Sequence, residues 1–233
     1  IETGHSGKVV NGENENGRVV NVYTTWLEGD WAVVRAADEF CSAINANRNI
    51  YLCNDIPFEA DANTKSNWTA YSAEYDKTIE GNGYAVKDVV MTFSSYGAYD
   101  TRNRPAYCAM FKMLGSGAKL KDIAFENITL NIESAEKTRT WDTYCALLAT
   151  EIEEGVTFEG VSLDGTFHIE HASSSIRRYN YGLVAAELDE NASLSGLTYN
   201  VNLEHVYSGT DGTYTDHIDE FGLITFEFTA LDE

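Results

Sequence analysis

The chain has 233 residues, enough to bury a core in one elongated domain or two small ones. It carries 37 acidic residues against 16 basic ones, a net charge of −21, which argues against nucleic acid and anionic membrane surfaces as partners. No apolar run approaches the length needed to cross a bilayer, so no membrane span is expected in this chain.

Two prolines, 14 tyrosines and 18 glycines favour strands and turns over helices. Cys41, Cys53, Cys108 and Cys145 form no CxxC pair, which removes the usual zinc and thioredoxin-like motifs and leaves the redox compartment open. A disulfide between Cys41 and Cys53 is left open, whereas Cys108 and Cys145 are expected to be two buried thiols.

In chain order, the opening IETGHSGKVV has neither Met nor an apolar leader, and it is taken as the start of a mature or excised piece. Residues 1–35 read as irregular and strand segments. AADEFCSAINAN (36–47) places Phe40 and Ile44 four apart, with Ala37 and Cys41 beside them, and predicts a short amphipathic helix. NIYLCNDIPF (49–58) predicts a strand. No Pro- or Gly-rich linker follows. The expected organisation is therefore an irregular segment with a capping helix over 1–48, then one continuous repeat domain over 49–233.

Two patterns recur beyond that point. Boxes of an aromatic, a small residue and an apolar run begin at Tyr107, Tyr144, Tyr181 and Phe221, the first three 37 residues apart. A second pattern reads GYAVKDVVM from Gly83, GAKLKDIAF from Gly117, GVTFEGVSL from Gly155 and NASLSGLTY from Asn191. Each is a turn residue, a hydrophobic three places on, Asp or Gly, then apolar-x-apolar. One repeat holds about three short strands and no helix-length segment, which excludes helical repeats and fits three strands per coil of a parallel β-helix better than a four-stranded propeller blade.

The fold expected from this spacing is all-β, a right-handed parallel β-helix (solenoid) of about four coils with an N-terminal helical cap. Like residues would stack, giving an aromatic ladder of Tyr107, Tyr144, Tyr181 and Phe221 and an aliphatic one of Ile123, Val161 and Leu197. ADEFCSAIN, IYLCNDIPF, EGNGYAVKDV and the repeated YGLV-type boxes together resemble bacterial surface proteins with GLUG-type repeats, over roughly Val34–Ile224. That resemblance implies a right-handed parallel β-helix on a secreted or cell-surface protein of adhesive type, with further domains in a longer chain. The departures are Cys in two boxes where that family has Gly, and a fourth repeat cut short.

Arg102 and Arg104, Arg139, and Arg177 with Arg178 all lie three to five residues before a box tyrosine, so five of the eight arginines fall in equivalent loops. Trp141 and Tyr179 lie in the same loops, as does Tyr99. Guanidinium groups bind carboxylate or sulfate bidentately and aromatic faces stack on sugars, so the expected ligand is an acidic glycan or an anionic peptide, including a host- or cell-surface ligand. Against this stands the plainer alternative that these arginines neutralise carboxylates of neighbouring repeats. No cofactor is expected. The loop with Asp211, Asp216, His217, Asp219 and Glu220 is rich in oxygen, yet it lacks EF-hand spacing and nonapeptide glycines, so a solvated acidic loop is favoured over a calcium site. His168, Glu170 and His171 are too few for zinc.

Three functions stay open: a binding or adhesion module, a structural stalk, and a polysaccharide-degrading enzyme. The last is the weakest, since no nucleophile elbow, phosphate loop or distinctive carboxylate constellation is present.

Overall fold

Short apolar–polar alternations separated by residues of positive φ give this chain brief strands with sharp corners. The computed structural model describes residues 10–13, 19–22, 27, 29–61, 63–94, 106–134, 143–171, 179–207 and 220–222. β1 (Val10–Glu13) and β2 (Val19–Val22) form an antiparallel pair. Every other strand pairing among the described residues is parallel.

Four parallel sheets are built from strands that, from β6 onward, lie about one repeat apart in sequence. In the first, β3 (Trp31–Val34), β4 (Asn49–Leu52), β6 (Thr78–Glu80), β11 (Lys119–Lys121) and β15 (Thr157–Glu159) lie side by side. The second and longest holds β5 (Ile56–Pro57), β7 (Ala85–Lys87), β8 (Val90–Ser94), β12 (Ala124–Ser134), β16 (Val161–His171) and β19 (Leu197–Tyr207). β7 and β8 pair with successive halves of β12. A third sheet has β10 (Phe111–Leu114), β14 (Ala149–Ile152) and β18 (Ala185–Leu188). The fourth has β9 (Ala106–Cys108), β13 (Thr143–Ala146), β17 (Tyr179–Gly182) and β20 (Glu220–Gly222).

Parallel register brings like residues into contact. Ile79, Leu120 and Phe158 form one interior row, and Val86, Phe125 and Leu163 another. Leu130 and Phe167 extend the core along the long sheet, and all of these are buried. A fully buried side chain of this size contributes about 1.5–3 kcal/mol by leaving water, so such rows dominate the stability.

The positive-φ corners explain the second sequence pattern. Asp122, Gly160 and Gly196 have φ of 45°, 63° and 88°. Gly196 also has no room for a side chain, because a Cβ there would lie 1.9 Å from the Phe158 carbonyl oxygen.

The single solenoid of about four coils under a helical cap is corrected by these sheets. The strands are distributed over several separate parallel sheets of three to six strands. A full repeat carries four strands, one for each sheet, where three were expected. Among the described residues only 106–134 and 143–171 supply all four; the segment before β9 places strands in two sheets and reaches a third through a single parallel bridge of Tyr75 to Leu114 of β10. Nor is a helical cap shown. The predicted helix exists as α1 (Ala37–Asn45), but it packs along β3, β4 and β5, with Phe40, Cys41, Ala43 and Ile44 in the common core. From there Phe40 meets Trp68 at 6.1 Å between ring centroids, and Trp68 meets Phe111 of β10 at 6.5 Å while its Nε1 donates to the Met110 carbonyl at 3.0 Å.

Two further expectations shift register. GYAVKDVVM does not align with GAKLKDIAF from Gly83 to Gly117, since Ala85 pairs with Ala124 and Ile79 with Leu120. Asp88 consequently matches Asn127, and these two positive-φ residues are joined by an Asn127 Nδ2 to Asp88 Oδ1 hydrogen bond of 2.7 Å. The aromatic ladder breaks after two rungs, since Tyr107 pairs with Tyr144 but Tyr144 pairs with Asn180. The aliphatic row of Val161 and Leu197 holds.

Candidate functional site

The fourth sheet, to which the arginine-bearing loops lead, carries the most distinctive surface. Ala106 pairs with Thr143 and Thr143 with Tyr179, so the three loops enter neighbouring parallel strands at matched positions. Arg102, Arg104, Arg139, Trp141, Arg177 and Arg178 themselves lie outside the described residues, and Tyr179 is described only as backbone of β17.

From Thr143 onward the spacing between β13 and β17 is 36 residues, one fewer than between β9 and β13. Successive strand residues face opposite ways, so this slip inverts the faces. Tyr107 pairs with Tyr144, and Tyr144 pairs with Asn180. The inward row is Cys108, Cys145 and Tyr181, and Phe221 is in backbone register with Tyr181. Tyr181 is buried and meets Phe167 edge-on at 5.6 Å, whereas Tyr107 is 41 % exposed. The slip also aligns Gly182 with Ala146, so small residues share that position and Cys does not replace Gly. Gly182 is obligatory there, because a Cβ would sit 1.5 Å from the Ala185 carbonyl oxygen.

On the outer face the Tyr107 and Tyr144 rings stack at 5.4 Å with 17° between planes. The Lys112 ammonium lies 4.5 Å from the Tyr107 ring centre, a cation–π contact. Glu151 and Glu187 are in direct register on β14 and β18 beside it. Partial burial, then the charges of Glu187 and Glu151, hold the Tyr107 phenol above its ordinary value, so it is a neutral hydroxyl at physiological pH. The patch thus combines two tyrosine rings with their hydroxyls, one cation and two carboxylates.

Cys108 and Cys145 are registered neighbours and free thiols, as are Cys41 and Cys53. Burial pushes the Cys108 thiol up to about 12 and Cys145 well above its ordinary value, which makes both poor nucleophiles.

Elsewhere two lysines pair with carboxylates of neighbouring repeats. Lys87 Nζ lies 2.9 Å from Asp55 and 3.0 Å from Glu126, and Lys121 bridges Glu80 and Glu159 at 3.7 and 3.5 Å. The Lys87 contact and the Ala85 N–H hold Asp55 below the usual carboxylate range; Lys77 and Asn47 do the same for Asp76, and Arg48 for Asp30. These displacements are opposite to what a glycosidase general acid requires. His168 Nδ1 contacts Glu204 Oε2 at 3.2 Å, so its partner is on the next strand and not Glu170. Among the described residues no three His, Cys, Asp or Glu side chains gather around a metal position. The calcium-type loop 211–219 lies outside them, with Glu220 described as backbone alone.

One groove of about 520 Å3 opens beside the start of α1, lined by Arg35, Asp38, Pro57, Glu59, Asn67 and Thr69. Its Asn67 amide is already committed, donating to the Glu59 and Asp88 carbonyls at 3.1 and 3.0 Å and accepting from the Val90 N–H at 2.8 Å. No helix among the described residues is long and apolar enough to cross a membrane.

Comparison with protein-family models, with curated proteins and with solved structures gives no match. The sequence patterns singled out the box tyrosines but not Lys112, Glu151 or Glu187. The signal was present in TEI (150–152) and AEL (186–188), which place the two glutamates 36 residues apart, in register with the strands.

Proposed function

We propose that the chain is a non-catalytic module of a bacterial surface or secreted protein that binds an acidic glycan or another anionic ligand. The observation that carries this reading is the junction of three arginine-bearing loops with adjacent, matched strands that display the stacked Tyr107–Tyr144 pair. Five of the eight arginines of an otherwise strongly acidic chain lie in sequence just before these strands, and the tyrosines supply flat apolar edges on the strands themselves. Arginines provide the charge and planar donors, and the aromatic rim provides contact with a sugar ring.

The test is a panel of acidic and neutral oligosaccharides probed at low and moderate salt. Arg139→Ala, a double change at Arg177 and Arg178, and Tyr107→Ala are run beside the parent. Salt-sensitive binding of acidic members, abolished by the arginine changes and weakened by Tyr107→Ala, is expected. Binding that ignores the arginine changes, or no binding at all, defeats the proposal.

A structural stalk is the second reading. It is favoured by the Lys87 and Lys121 bridges, each of which engages one ammonium with carboxylates of two neighbouring repeats.

A further inference from the structure

Three Asn-x-Ser/Thr triplets occur in the chain, at Asn67, Asn127 and Asn191, and the fold treats their side-chain amides differently. An amide nitrogen is a poor nucleophile, because its lone pair is delocalised into the carbonyl. Glycosyl transfer to it requires an enzyme that grips both N–H bonds of the amide. The acceptor must therefore arrive with those bonds free and with its flanking backbone outside a sheet.

Asn67 has no free amide. Its Nδ2 donates to the Glu59 and Asp88 carbonyls at 3.1 and 3.0 Å, its Oδ1 accepts from the Val90 N–H, and Trp68 beside it is buried in the core. Asn127 is held inside β12, at the irregularity between Phe125 and Ile128, and its Nδ2 donates to Asp88 Oδ1. Thr129 of the same triplet is in register with Val90 on one side and Thr166 on the other.

Asn191 is exposed, and its side-chain amide makes no hydrogen bond to any described residue. It lies on the corner after β18, where the register of Leu114, Ile152 and Leu188 sets it at the position of Gly117 and Gly155. Both glycines are exposed although a further repeat stacks over each, so this corner faces solvent whether or not another repeat follows. The backbone then leaves the sheet. Thr157–Glu159 form β15 in the preceding repeat, whereas residues 192–196 form no strand. Local bonds hold the turn instead: the Ala192 N–H donates to the Asp189 carbonyl at 2.9 Å and the Asn191 N–H to Asp189 Oδ1 at 3.4 Å.

We infer that Asn191 is the acceptor site for an N-linked glycan. The donor is an oligosaccharide carried on a lipid pyrophosphate. Asn191 Nδ2 attacks the anomeric carbon, and the new C–N bond replaces the C–O bond to the pyrophosphate, which leaves with the electron pair. One amide proton passes to the enzyme's base. The inference concerns this turn alone and does not require the arginine-bearing loops to bind anything.

The experiment treats the purified, folded full chain with a single-subunit oligosaccharyl transferase that reads Asn-x-Ser/Thr alone, and locates the glycan by peptide mass spectrometry. Synthetic peptides spanning 64–70, 124–130 and 188–194 receive the same treatment, so that each site is scored against its own sequence freed from the fold. That ratio is expected to be at least about tenfold higher at Asn191 than at Asn67 or Asn127, whose amides must first break their hydrogen bonds. Asn191→Gln and Ser193→Ala, both at exposed positions, should abolish modification of the corner. A 188–194 peptide that accepts no glycan, a folded chain left unmodified at Asn191, or equal ratios at the three sites overturns the inference.

Discussion

The long sheet and the box sheet use the same device and come to different ends. In β12 and β16 the register runs from Ile128 to Ser134 without a slip, and Leu130 and Ile132 meet Phe167 and Ile169 row upon row. In the box sheet one residue is lost between β13 and β17, and an aromatic position moves from outside to inside. The lesson is that a regular interval in sequence defines a neighbour, while the exact offset defines a face. Tyr107 and Tyr144 became surface because of that offset, and Tyr181 became core.

The largest expected effect lies in the long sheet. Phe125→Ala removes a fully buried ring between Val86 and Leu163, and should cost about 3–5 kcal/mol in chemical denaturation. A loss under 1 kcal/mol would mean that the rows are not the core. Next is Gly182→Ala, which forces a methyl against the Ala185 carbonyl; about 1–3 kcal/mol is expected, with the box sheet affected before the long one in hydrogen exchange.

Smaller effects come from the charge bridges. Lys87→Met should lower the melting temperature less than either interior change, by an amount that shrinks as salt is added. An undiminished effect in high salt would assign Lys87 a packing role. The pH dependence follows from Asp55 of the Lys87 bridge and from two further paired carboxylates, Asp76 with Lys77 and Asp30 with Arg48. Asp55, Asp76 and Asp30 have folded-state pKa values below the ordinary 3.8, so their stabilisation is complete above that value. It is lost as pH falls through their lowered folded values, and the acid limb of an unfolding titration should flatten in an Asp55→Asn variant.

Much of the β character is legible in the sequence. The helix over 36–47, the turn glycines, and the row containing Val161 and Leu197 are all plain in the pattern. The strand count per repeat was not, because β11 and β15 are three residues each and β10, β14 and β18 only four, too short for alternation to declare them. The register was not either. A turn glycine before a strand occurs at both Gly83 and Gly117, so a plausible alignment existed that backbone pairing rejects. The bridges at Lys87 and Lys121 join three repeats apiece and become visible only once that register is known. The arginines flagged for binding fall outside the described residues, and the structure contributes the strands they lead into.

The most direct test of this account compares Tyr144→Ala with Tyr181→Ala in both thermal unfolding and glycan binding. Tyr181→Ala should cost about 3–5 kcal/mol of stability, as a buried ring, while Tyr144→Ala should cost about 1 kcal/mol or less and reduce binding instead. Equal destabilisation by the two changes, or a binding loss confined to Tyr181→Ala at temperatures where that variant is folded, would contradict the assignment of one tyrosine to the core and the other to the site.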